Sequence, residues 1–173
     1  VECSMIEQII LLVDKNLEIA DILIALVAFI VSIVALVYTK IYNRKKDTLD
    51  DFNRLQQEVL DKINKYSDDQ IKEILEKTRI TEENEKYIEI TSFLSRIEHF
   101  AVGANTNIYN VKIIKRLAGK YFISLYQKLH PLIQYKQDAR PKAKHYDEFE
   151  GLVKKLEKQY KREDAIKKIK EML

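Results

Sequence analysis

Three glycines, two prolines, one cysteine and no tryptophan are all that the 173 residues hold of those types. So few turn formers exclude a sheet-rich fold, in which turn residues recur every ~8–12 positions. The single Cys3 excludes an intrachain disulfide and leaves a free thiol or an intermolecular bridge. No glycine-rich phosphate loop and no metal-ligand spacing occurs, so no cofactor and no metal is expected. The composition points to an all-α chain.

What is present begins with residues 22–39, ILIALVAFIVSIVALVYT, eighteen uncharged and almost wholly apolar residues closed off by Lys40, Arg44, Lys45 and Lys46. A helix of that length and composition crosses the hydrocarbon core of a bilayer. Small or weakly polar residues, Ala25, Ala28, Ser32, Ala35 and Thr39, recur along it at steps of three and four. Extended backwards, the same stripe meets Asp21, Glu18 and Asp14. Two readings follow: the small residues let any two transmembrane helices pack closely, or they face the axis of a ring of identical helices with the acids at its outer mouth, favouring cations. With one span per chain, a pore has to be homo-oligomeric.

The flanks give an orientation. Four basic residues follow the span and only Lys15 precedes it, which places the later part in the cytoplasm and the earlier part outside. No basic region precedes the apolar run and no small-residue cleavage site follows it, so an uncleaved anchor is expected rather than a signal peptide. The stretch 6–13, IEQIILLV, is too short to span and either lies on the outer surface or continues the helix. The expected organisation is an outer segment 1–21, a transmembrane helix 22–39, a juxtamembrane helix 40–66 and a cytoplasmic helical domain 67–173.

Beyond the span the pattern is helical throughout. Leu49, Phe52, Leu55, Val59, Leu60 and Ile63 have the three-four spacing of an amphipathic helix over 47–66 that prolongs the membrane helix. Ser67 with Gln70 forms a capping box for a short helix carrying Ile71, Ile74 and Leu75. Thr81 is placed to cap a helix over 82–102 that buries Ile88, Phe93, Leu94, Ile97 and Phe100, with Gly103 and the asparagines of GANTN expected to stop it. Asn110 is the expected cap of a long helix with Val111, Ile114, Leu117, Ala118, Tyr121, Leu125, Leu129 and Leu132 on one face, kinked or ended by Pro131. A charged helix over 146–173 closes the chain.

Charge is distributed unevenly. Residues 1–39 hold one basic and five acidic side chains, a net of −4, and residues 112–173 hold seventeen basic and eight acidic, a net of +9. The basic end would attract RNA, anionic lipid headgroups or an acidic partner, or simply form solvated helix faces such as EGLVKKLEKQYKREDAIKKIK. One catalytic pattern appears: Arg140 and His145 in RPKAKH have the R-x4-H spacing of HEPN ribonucleases, in which paired subunits bring arginine and histidine to the scissile phosphate. Pro141 follows the arginine directly and favours a helix start or break there. His99 and His130 fall near apolar faces, as packing or surface histidines do.

One span, a basic flank, an all-helical domain and a divergent R-x4-H together resemble the small transmembrane accessory proteins of type VI-B CRISPR systems, partners of an RNA-guided RNA-cutting nuclease. The stretch RIEHFAVGANTNIYNVKIIKRLAGKYFISLYQKLHPLI is also similar to a broader bacterial family of membrane-anchored helical domains of unknown function. The CRISPR resemblance implies a HEPN-like fold, a homo-oligomeric, octameric pore in the bacterial inner membrane and a role in antiviral defence. Of the family's motif it implies only Arg140 and His145, either as a nuclease pair or as a structural subunit contact. The expected activity is therefore depolarisation of the membrane by a pore linked to an active RNA-guided nuclease. The alternatives are a membrane-tethered, metal-independent HEPN-type RNase and a tethered module that binds a partner or a nucleotide.

Overall fold

A helix carries its own backbone hydrogen bonds, so a chain poor in turn residues folds as long helices joined by short capped connections. The computed structural model describes the backbone of residues 2–80, 84–140, 143 and 145–172, with side chains for 21–79, 84–140, 143 and 145–171. The order is α1 (Glu2–Leu55), a π-helical turn (Gln56–Leu60), α2 (Asp61–Ile63), α3 (Asp68–Ile80), α4 (Glu85–Asn105), α5 (Val111–Ala139) and α6 (Asp147–Met172). Among the described residues there is no strand. The chain divides into two units, Val1–Asn43 and Arg44–Leu173. The described residues of the first are all helical, the stretch 6–13 included.

The second unit is built around four phenylalanines, one from each of its main helices. Phe52 of α1 lies 6.3 Å from Phe100 of α4, Phe100 stacks 6.0 Å from Phe122 of α5, and Phe122 meets the edge of Phe149 of α6 at 6.2 Å. Ile97, Ile114, Leu129, Leu132 and Leu152 complete a core closed to water. The widened π turn admits one extra residue, and the consecutive Val59 and Leu60 are both buried there.

Each connection is fixed by local chemistry. Ser67 and Gln70 form the reciprocal capping box, the Ser67 N–H donating to Gln70 Oε1 at 2.8 Å and the Gln70 N–H to Ser67 Oγ at 3.2 Å. Asn110 caps α5 by accepting the Lys112 N–H at 3.0 Å. Thr81 lies outside the described residues; the cap of α4 is Asn84, which accepts from Lys86 and Tyr87. The start of α6 is held from another helix: the Glu98 carboxylate on α4 accepts the N–H groups of Glu148 at 3.0 Å and Phe149 at 2.7 Å. Burial still holds the Glu98 carboxyl above the ordinary range, outweighing those two hydrogen bonds.

Several expected details change. With α4 phased from Asn84, Ile90 is buried and Ile88 is exposed. Gly103 does not stop α4, which runs on to Asn105. It is needed for space, since a Cβ there would stand 2.3 Å from the Tyr109 ring. The positive φ that turns the chain belongs to Asn107, at 64°. Leu49 and Leu117 are exposed, while Phe122 and Ile133 take the core positions of α5.

Pro131 neither ends α5 nor breaks its helical backbone. Pro131 and Gln127 both face solvent, so the carbonyl that the proline deprives of a donor is open to water. The break is at Ala118, with φ −150° and ψ 22°. There the Lys115 carbonyl, which a regular helix would pair with the Gly119 N–H, accepts the Tyr160 hydroxyl from α6 at 3.2 Å. Tyr160 fits because residue 119 is glycine: a Cβ would come within 2.6 Å of its oxygen.

Phe122→Ala is expected to destabilise the helical domain by about 3–5 kcal/mol, and Leu117→Ala by less than about 0.5 kcal/mol. Thermal unfolding of the two variants checks this, and equal losses would show that the core is misassigned.

Candidate functional site

Arginine, threonine and aspartate at positions 44, 48 and 51 recur on one face of α1, at the spacing of successive helix turns. That face grips the α4–α5 connection. Arg44 donates from Nε and Nη2 to the Tyr109 carbonyl at 3.2 and 2.8 Å. The buried Thr48 hydroxyl donates to the Arg44 carbonyl at 2.6 Å and accepts the Asn110 N–H at 2.8 Å. Asp51 accepts the Tyr109 hydroxyl at 2.6 Å. Burial first, and then the Asp51 carboxylate, push the Tyr109 hydroxyl up to about 12, so it keeps its proton and remains a donor at neutral pH. Of the four basic residues that follow the apolar run, Lys40, Lys45 and Lys46 are exposed, whereas Arg44 is a structural clamp. No local sequence pattern shows this role, because Arg44 and Tyr109 lie 65 residues apart.

In the first unit every described side chain is exposed, those of Asp21, Ala25, Ala28, Ser32, Ala35 and Thr39 included. Among the described residues this helix is long and apolar enough to cross a membrane, and no part of its apolar window is buried. Ser32 donates its hydroxyl to the Ala28 carbonyl at 2.8 Å, so that proton is already satisfied within the helix. The side chains of Asp14 and Glu18 lie outside the described residues.

Arg140 and His145 both fall in the α5–α6 connection, with Pro141, Lys142 and Lys144 between them outside the described residues. Arg140 ends α5 and is exposed, lining a cavity of about 350 Å³ with Thr78, Tyr87, Tyr135, Lys136 and Ala139. His145 is not part of that lining. Its Nε2 is enclosed without a hydrogen-bond partner among the described residues, and its carbonyl accepts from Gln137 at 2.7 Å. The next residue, Tyr146, is buried with φ 64° and accepts a hydrogen bond from Lys136 at 3.1 Å. No hydrogen bond joins Arg140 to His145 in the described structure. His99 and His130 are exposed, His99 lining a cavity with Arg54, Glu58 and Arg96, and His130 set against the Tyr126 ring. Among the described residues no group of three or more His, Cys, Asp or Glu could hold a metal ion.

Thr48→Val removes the acceptor of the Asn110 N–H and is expected to cost about 1 kcal/mol, whereas Lys45→Ala leaves stability unchanged. Thermal unfolding distinguishes them, and a neutral Thr48→Val would show that the clamp contributes nothing.

No curated protein and no solved structure matches the chain. A family does, over residues 22–156. The match opens on the first residue of the apolar run and closes on Leu156, a fully buried position of α6, beyond which residues 161–171 are all exposed. The chain belongs to the family described as Domain of unknown function (DUF4760).

Proposed function

We propose that the chain is a single-pass protein of the bacterial inner membrane, with the segment before the apolar run outside and the helical domain in the cytoplasm. It acts by assembling with copies of itself into a pore, and not by cutting RNA. The observation that carries this reading is the apolar helix of the first unit, whose large side chains from Ile22 to Tyr42 are all exposed. Buried as a set, the twelve large aliphatic and phenylalanine residues of 22–37 are worth roughly 20–30 kcal/mol, more than a domain's whole stability of about 5–15 kcal/mol. Such a surface has to be covered by lipid, by other copies, or by both.

Three observations support the rest. The family match runs unbroken from the apolar run into the helical domain, which favours an anchor inherited with its domain over a detachable leader. The basic residues on the later side favour a cytoplasmic domain. The small-residue face at 25, 28, 32, 35 and 39 permits close approach of like helices. The resemblance to type VI-B accessory proteins supplies the setting, in which an octameric ring with a HEPN-like domain depolarises the membrane when an RNA-guided nuclease is active. The enclosed His145 Nε2, apart from the cavity that Arg140 lines, favours a structural role for that pair.

In cells expressing the chain, a voltage-sensitive dye should report depolarisation that is lost in the double variant Ala28→Leu, Ala35→Leu and retained with Leu26→Ala or Ile33→Ala. Depolarisation unchanged by leucine at both alanines would overturn the lining model. The purified protein is expected to leave a labelled RNA intact. Metal-independent cleavage that disappears in His145→Ala would establish the tethered RNase instead.

A further inference from the structure

Two cavities in the second unit share Asn110, Lys112 and Gln159 and form one cleft between α1, the first turns of α5 and the outer part of α6. The larger, of about 1010 Å³, presents Lys45, Lys112, Lys115, Arg116 and Arg162, with Glu163 the one carboxylate in its lining. The smaller, of about 420 Å³, adds Arg44 and Lys155 and no acid. Seven cations against one carboxylate leave a strong excess of positive charge in a concave space, and the N-terminal end of the α5 dipole adds to it.

The floor of the cleft is ordered. Lys115 is only 8 % exposed; its ammonium pairs with Glu163 and lies 4.4 Å from the Tyr160 ring centroid. Tyr160 is seated by the Ala118 break and the missing Cβ of Gly119. Lys115 is thus held between a carboxylate and an aromatic face, while Lys112, Arg116 and Arg162 stand exposed around it. Guanidinium groups offer paired donors that match phosphate oxygens, and ammonium groups add charge without directional demand. A single carboxylate ligand would neutralise too little of this field, whereas a phosphate carries more charge and three or four acceptor oxygens.

We infer that this cleft binds a phosphate-bearing anion. Two sources share that chemistry: the headgroup of an anionic phospholipid, and a free phosphate compound such as a nucleotide or polyphosphate. Lys45 follows the last residue of the apolar run by six positions, within the range over which basic side chains meet headgroups. The inference does not depend on pore formation.

The test uses the full chain in a neutral detergent and phosphate-free buffer at constant ionic strength, titrated with inorganic pyrophosphate or with dihexanoyl-phosphatidylglycerol, the phosphatidylcholine analogue serving as control. A saturable rise in unfolding temperature is expected with at least one of the two anions and not with the control. In Lys112→Glu, Arg116→Glu, whose side chains are exposed and whose folding circular dichroism verifies, binding should weaken at least tenfold; Arg162→Glu should weaken it independently. Saturation by pyrophosphate assigns a free phosphate ligand, and saturation by phosphatidylglycerol alone assigns the headgroup. Response to neither anion, or equal response in the charge-reversed variants, overturns the inference.

Discussion

Water cannot accommodate the apolar run from Ile22 to Val37 at a cost the rest of the chain could offset, and that constraint governs everything else. The helix satisfies its backbone internally but leaves every large side chain from Ile22 to Tyr42 uncovered. Among the described residues no part of this window is buried. The same helix α1 then changes character within a few residues. From Arg44 onward its side chains serve a soluble core, with Thr48, Phe52 and Leu55 buried in turn.

That change makes the first turns after the apolar run the organising element of the helical domain. Arg44, Thr48 and Asp51 hold Tyr109 and Asn110, and Asn110 in turn caps α5. Tyr109 stacks on Phe100 at 4.9 Å, tying the clamp to the phenylalanine core. At the other end, Glu98 and Asn105 of α4 hold the start of α6, Asn105 Nδ2 donating to the Glu148 carbonyl at 2.8 Å. Polar contacts thus set the ends of helices whose faces are fixed by apolar packing, and the basic cleft is a by-product of where α5 and α6 are pinned together by Tyr160.

The helices and two of the caps were legible because they depend on short-range chemistry. Ser67 with Gln70, and Asn110 with the Lys112 N–H, are contacts between residues two or three apart. The apolar run needed nothing but its length. What could not be read depended on partners distant in sequence: Gly103 is a glycine because of Tyr109, Gly119 because of Tyr160. Helix phase was lost where the cap was misplaced, which exchanged Ile88 for Ile90. Pro131 misled because the cost of proline in a helix depends on whether the freed carbonyl faces solvent. Arg140 and His145 fall in one connection, but their spacing does not show that Arg140 lines a cavity while the His145 Nε2 is enclosed.

In the proposed assembly the exposed helix is completed by copies of itself. Single-particle averages of the full chain in detergent test it most directly. A closed ring of four or more copies is expected, with a continuous axial opening at the level of Ala25, Ala28, Ser32 and Ala35. A monomer, or a twofold dimer that brings two Arg140 and two His145 side chains together, would contradict it.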